Sequence, residues 1–175
     1  LCFEAENLHR LYTKVEPGLI RVNADEVTYP MHVILRYEIE RDLILGTMTV
    51  ADLPERWNQG MMSYLGLDTR GNYKDGPMQD IHWPSGAVGY FPSYTLGALN
   101  AAQLFAAMRR QLPDIMNDIE AMKLERVFSW LSEHIWSKGS YLSYSELMIE
   151  ATGEPLSSDY FLNHVRQRYL SEEVS

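Results

Sequence analysis

Apolar positions recur along most of this chain with the three- and four-residue spacing of helices rather than the alternation of strands. The first run, LCFEAENLHRLYTKVEPG, places Leu8, Leu11, Tyr12 and Val15 at that spacing. After Pro17 and Gly18 comes a short apolar stretch, LIRV, and then Asp25 stands ready to cap a long helix from about Glu26 to Leu45, closed by Gly46. Pro30 falls near its first turn, where a missing N–H matters least. Asp52 and Glu55 make a capping-box-like start for LPERWNQGMMSYLG, which Gly66 can end. A helix resumes near Tyr94 as YTLGALNAAQLFAAMRRQL, with Gly97, Ala98, Ala101 and Ala102 as a small-residue face for close packing. Further helices are predicted at about 114–121 and 124–137, one opened by a Ser143–Glu146 capping box, and a last one begun by Ser157 or Ser158. The pattern predicts an all-α fold in a single helical domain, residues 1–175.

Residues 67–93 break the pattern. This is the only long irregular stretch, and such a loop in a helical domain is usually functional or disordered. Ile81, Trp83, Val88, Tyr90 and Phe91 make it too apolar for a disordered linker, so it is expected to pack. Packing carries Gln79, Asp80 and His82 into a low-dielectric place where they must be hydrogen-bonded. They either serve backbone groups or belong to a site. The other histidines, His9, His32, His134 and His164, lie on separate helices, and none forms a His-Glu-x-x-His pair of metal ligands. Glu38, Asp42, Arg36 and Arg41 read as one solvated charged face.

Composition narrows the classes. With 175 residues the chain is long enough for one sizeable core. A formal charge of -9, from 24 acidic against 15 basic residues, argues against nucleic acid as a partner. Cys2 is the single cysteine, so no internal disulfide can form. No apolar run is long enough for a membrane helix and no signal-peptide pattern opens the chain, which predicts a soluble cytoplasmic protein. The chain lacks an initiator Met and starts inside a helical pattern, as a piece of a longer protein would.

Two short runs carry a resemblance. IRVNAD, residues 20–25, fits Ile-Arg-x-x-Ala-Asp, and GPMQDIHW, residues 76–83, fits Gly-x-x-Gln-Asp-x-His-Trp. In this order they resemble the signatures of the zinc metallocarboxypeptidases typified by carboxypeptidase Taq. DEVTYPMHVILRYEIERDLILG, GYFPSYTLGALNAAQLF and ATGEPLSSDYFLNHV are similar to the C-terminal region of that family. Members are much longer, and their His-Glu-x-x-His helix and other upstream signatures are absent here. The resemblance therefore implies the C-terminal third of such an enzyme, with zinc or another divalent metal in the full-length protein and no metal ligand in this chain.

What the resemblance implies for single residues is definite enough to test. Arg21 is the candidate anchor for the C-terminal carboxylate of a peptide substrate, with Asp25 either capping the next helix or holding the arginine. Tyr29 is the candidate donor to the oxyanion, by a more distant likeness to other helical His-Glu-x-x-His peptidases. His82 is expected to act on the substrate while Asp80 fixes its tautomer, Gln79 to bind substrate backbone, and Trp83 to wall the site or wedge the loop. Homodimerisation is implied by the family. The isolated chain is expected to be inactive and to self-associate through stripped faces such as Leu35/Ile39 or Leu99/Phe105. The alternative is a non-catalytic helical interaction module that kept the fold.

Overall fold

The computed structural model describes residues 3–170, and among them there are α-helices and short 3₁₀ turns but no strand. Cys2 lies outside the described residues. The contacts divide the chain into two compact units, Leu1–Thr95 and Leu96–Ser175.

In the first unit, α1 spans Ala5–Tyr12, a 3₁₀ turn spans Arg21–Asn23, α2 spans Tyr29–Ile44 and α3 spans Leu53–Leu65. The long helix starts three residues later than the pattern predicts. Asp25 does act as a cap, its Oδ1 accepting from the N–H groups of Val27 and Thr28 at 3.0 and 2.9 Å, but residues 26–28 form a turn before α2 begins. The predicted Asp52–Glu55 box is displaced by three residues as well. Asp52 instead accepts from the N–H of Thr49 at 2.9 Å, capping the short 3₁₀ turn Val50–Asp52 that leads into α3. Gly66 ends α3 with φ +70°, a left-handed conformation that costs a glycine little.

Helices α2 and α3 share one core. Leu35, Ile39, Trp57, Met61 and Leu65 are buried against each other, with Leu19, Met31, Leu43 and Trp83 packed around them. Leu35 and Ile39 are fully buried, so they are not the stripped face expected for an isolated chain. Beside them runs a polar stripe, Thr28, His32, Arg36 and Glu40, one helical turn apart and all buried. The solvated face predicted for Arg36 is thus wrong, while Glu38 faces α3, accepting from Arg56 and from the Tyr64 hydroxyl.

Residues 66–91 contain no helix and are folded as a chain of turns. One turn explains the first glycine of the GPMQDIHW run. A Cβ on Gly76 would stand 2.5 Å from the carbonyl oxygen of Asn72 and 3.5 Å from Trp57 Nε1, so no side chain fits.

The second unit takes α4, Pro92–Gln111, from Leu96 onward, with α5 Ile115–Glu120, α6 Glu125–His134, α7 Tyr144–Thr152 and α8 Asp159–Tyr169. Ala107, Met108, Ile115 and Trp130 form its core. The Ser143–Glu146 capping box is present, with Glu146 accepting from the N–H of Ser143 at 2.9 Å. Gln103 is fully buried and fastens the chain around 152–157, donating to Thr152 Oγ1 and accepting from the Ser157 N–H. The predicted small-residue face is half covered: Gly97 and Ala101 are exposed, while Ala98 and Ala102 are half-buried.

Gly76→Ala is expected to lower the unfolding free energy by about 1–3 kcal/mol, the cost of forcing an atom into filled space. Gly97→Ala, with open space around the added methyl group, is the control and should be neutral or slightly stabilising. Urea denaturation of both variants checks the contrast.

Candidate functional site

Three segments of the first unit meet at one carboxylate, and a fourth packs beside them. The 3₁₀ turn presents Arg21, α2 presents Tyr29, His32, Arg36 and Glu40, the loop presents Gln79, Asp80, His82 and Trp83, and the start of α4 adds Tyr94 next to Phe91. Asp80 Oδ1 accepts from Arg21 Nε at 3.1 Å and Nη2 at 2.8 Å, while Oδ2 accepts from Arg36 Nε at 2.6 Å. Both guanidiniums are buried. Arg36 is held further by donating from Nη1 to the His32 carbonyl at 2.8 Å and by lying 4.6 Å from the Trp57 ring and 5.4 Å from that of Phe91.

Charge is shared unevenly. Burial works against ionising Asp80, yet the hydrogen bonds from Arg21 and the field of Arg36 outweigh it and hold its carboxyl below the usual range. Burial lowers Arg36 to about 10, with Asp80 opposing, so it stays charged at neutral pH. For Arg21 the order reverses: burial opposes the charge, but Asp80 more than compensates and its pKa is raised. His32 is pressed down to about 4, first by burial and then by the charge of Arg36, with the Gly18 backbone offsetting only part. Its ring nitrogens are buried and have no hydrogen bond of good geometry. His32 is therefore a neutral spacer at pH 7.

The loop is fastened on both sides of His82. Glu40 accepts from Trp83 Nε1 at 2.8 Å and from the Gly89 N–H at 3.1 Å. Trp83 packs edge-on against Trp57 and Phe91. His82 Nε2 is 2.8 Å from the Tyr94 hydroxyl, and its ring lies 4.3 Å from Phe91. The Arg21 guanidinium lies 4.9 Å from the Tyr94 ring and donates from Nη1 to the Tyr29 hydroxyl at 2.6 Å. Position 21 and position 82 thus share Asp80, Phe91 and Tyr94 as neighbours. Two surface hollows of about 420 and 460 Å³ lie elsewhere in this unit; Asp25 lines the second, and neither is lined by Arg21, Asp80 or His82.

The sequence matches the family model described as Carboxypeptidase Taq (M32) metallopeptidase over residues 2–169. The chain belongs to this metallopeptidase family. It is similar to thermostable carboxypeptidase 1 of Pyrococcus furiosus, 37% identical over 168 residues, which cover 96% of this chain and 34% of that protein. Carboxypeptidase 1 of Bacillus subtilis is 38% identical over 160 residues, 91% of this chain and 32% of that protein. Among solved structures, Trypanosoma cruzi metallocarboxypeptidase 1 superposes with a TM-score of 0.94 at 45% identity, over 97% of this chain and 36% of that one. The chain spans about a third of the length of the curated relatives it matches.

Membership of the carboxypeptidase Taq family implies a divalent metal. The residues here do not fit one, because among the described residues no three His, Cys, Asp or Glu side chains come together. No described helix is long and apolar enough to cross a membrane.

Within the carboxypeptidase Taq signatures, several expected pairings are replaced by others. Asp25 does not hold Arg21; its oxygens take the N–H groups of Glu16, Val27 and Thr28. Asp80 does not hydrogen-bond His82, whose Nδ1 is 3.9 Å away, but serves the two arginines. Gln79 is fully engaged within the chain, accepting from the Arg21 N–H at 2.8 Å and donating to the carbonyls of Leu19 and Asp75. Trp83 wedges the loop onto α2. Tyr29, the candidate oxyanion donor, has its hydroxyl oxygen accepting from Arg21 Nη1.

Arg36, Glu40 and Tyr94 were missed by the sequence reading. A signal for the first two existed: positions 32, 35, 36, 39, 40 and 43 form one continuous stripe at helical spacing, so charges at 36 and 40 share the face of Leu35 and Ile39.

The His32 shift has a definite pH consequence. Its folded pKa lies below that of the unfolded chain, so its neutral burial stabilises fully above about pH 6.5 and loses that contribution as pH falls toward about 4. Unfolding free energy from urea titration is expected to drop by about 2 kcal/mol from this group between pH 7 and pH 5. His32→Gln should flatten that slope.

Proposed function

We propose that this chain is the C-terminal portion of a zinc-dependent metallocarboxypeptidase that removes C-terminal residues from peptides in the cytoplasm as a homodimer, with the metal held by segments outside it. The observation that carries the reading is that Arg21, bonded to Asp80 and Tyr29, and the His82–Tyr94 pair lie side by side in a chain of the carboxypeptidase Taq family.

Two tasks fall to this portion. A carboxypeptidase must grip a free terminal carboxylate, and a guanidinium does so through paired N–H donors. Three of the five N–H groups of Arg21 are engaged, by Asp80 and Tyr29, which leaves one on Nη1 and one on Nη2 for the substrate. The reacting carbonyl needs a donor where negative charge develops. The hydrogen-bonded His82–Tyr94 unit is assigned this task in place of Tyr29. When Nε2 carries the proton, Tyr94 accepts from His82 and its own O–H is free to donate to the oxyanion. Tyr29 then braces Arg21, and Asp80 orients it.

In the intact protein, His82→Ala is expected to cut kcat/KM on a carboxypeptidase substrate by well over tenfold, and Tyr94→Phe by about a hundredfold, the scale for one lost oxyanion donor. Metal content should be unchanged in both. Near-normal turnover by either variant refutes the role given to it.

A further inference from the structure

Arg21 and Asp80 alone would be a neutral pair, with little reason to attract another carboxylate. The structure supplies a second cation to that pair. Arg36 takes Asp80 Oδ2 at 2.6 Å, a shorter contact than either one that Arg21 makes to Oδ1. Resting on the carboxypeptidase reading above, we infer that Arg36 determines specificity for the free terminal carboxylate, acting through Asp80 as a positioning residue that never touches substrate.

The charge count carries the argument. Two guanidiniums against one carboxylate leave an excess of one positive charge in a place shielded from water, Arg36 being 0% and Arg21 4% exposed. Among the described residues, no second carboxylate hydrogen-bonds either guanidinium. His32 is kept neutral by burial and by Arg36 itself, and Glu40, one turn further along α2, is turned toward Trp83 Nε1 and the Gly89 N–H. A carboxylate arriving on the remaining N–H groups of Arg21 restores neutrality; a terminal amide does not.

Arg36 also fixes how Asp80 is held. With Oδ2 drawn to Arg36, only Oδ1 is left for Arg21, so the two cannot form the fork-to-fork pair in which both carboxylate oxygens face one guanidinium. Arg36 cannot follow if Asp80 moves, because the His32 carbonyl and the rings of Trp57 and Phe91 confine it. Nothing in the two signature runs points to this residue, which lies between them in the sequence.

The test compares, in the intact metal-loaded protein, kcat/KM for a blocked peptide with a free C-terminal carboxylate and for its C-terminal amide. Arg36→Met is expected to raise KM for the acid about tenfold while changing amide turnover less than about threefold, so that the preference for the acid collapses. Arg36→Lys keeps the charge and should retain most of that preference. A folded Arg36→Met variant that keeps the acid-to-amide ratio within about twofold of the wild type overturns the inference. If Arg36→Met fails to fold, Arg36→Gln, which keeps hydrogen-bonding capacity without the charge, takes its place: collapse of the ratio while Arg36→Lys retains it supports the inference, and a ratio within about twofold of the wild type overturns it. Equal turnover of acid and amide by the wild type would instead sink the carboxypeptidase reading.

Discussion

One carboxylate between two buried guanidiniums is the constraint on which the rest of the first unit depends. Asp80 comes from the loop, Arg21 from the 3₁₀ turn and Arg36 from the middle of α2, so their bonds tie together segments far apart in the chain. Such an arrangement is poor evidence of net stabilisation, since dehydrating three charges offsets most of the attraction. Its effect is geometric. Removing the carboxylate would leave two unpaired cations in the interior, so alternative loop placements that fail to bring Asp80 between them are strongly disfavoured.

A loop without regular structure needs other partners for its backbone, and here side chains serve as substitutes for a neighbouring strand. The Gln79 amide accepts from the N–H of Arg21 and donates to the carbonyl of Leu19, much as a strand residue bonds its neighbour. Glu40 does the same work at Gly89 while holding Trp83. His82 lies between these attachments, and the rings of Tyr90, Phe91 and Tyr94 surround it.

The helices were legible because their signals are local. The Ser143–Glu146 box and the glycine after α3 act within a few residues of where they stand, and both are found where the pattern put them. The candidate site was legible only in part, because its contacts are not local. The acidic neighbour of Arg21 in sequence is Asp25, four residues away, but its partner is Asp80, 59 residues on. Arg36 looked like one charge among several on a surface helix; only its alignment with Leu35 and Ile39 betrays the burial, and only the fold reveals Asp80 as its counterion. The likeness to the carboxypeptidase Taq signatures singles out Gln79, Asp80 and His82, yet not which partner each of them holds.

Every bond of the Arg21–Asp80–Arg36 cluster and of the His82–Tyr94 pair falls within the unit Leu1–Thr95. The two hydrogen-bonded groups of the candidate site therefore form a self-contained cassette. Natural variation or laboratory recombination can exchange the helices from Leu96 onward among family members without severing any of these bonds.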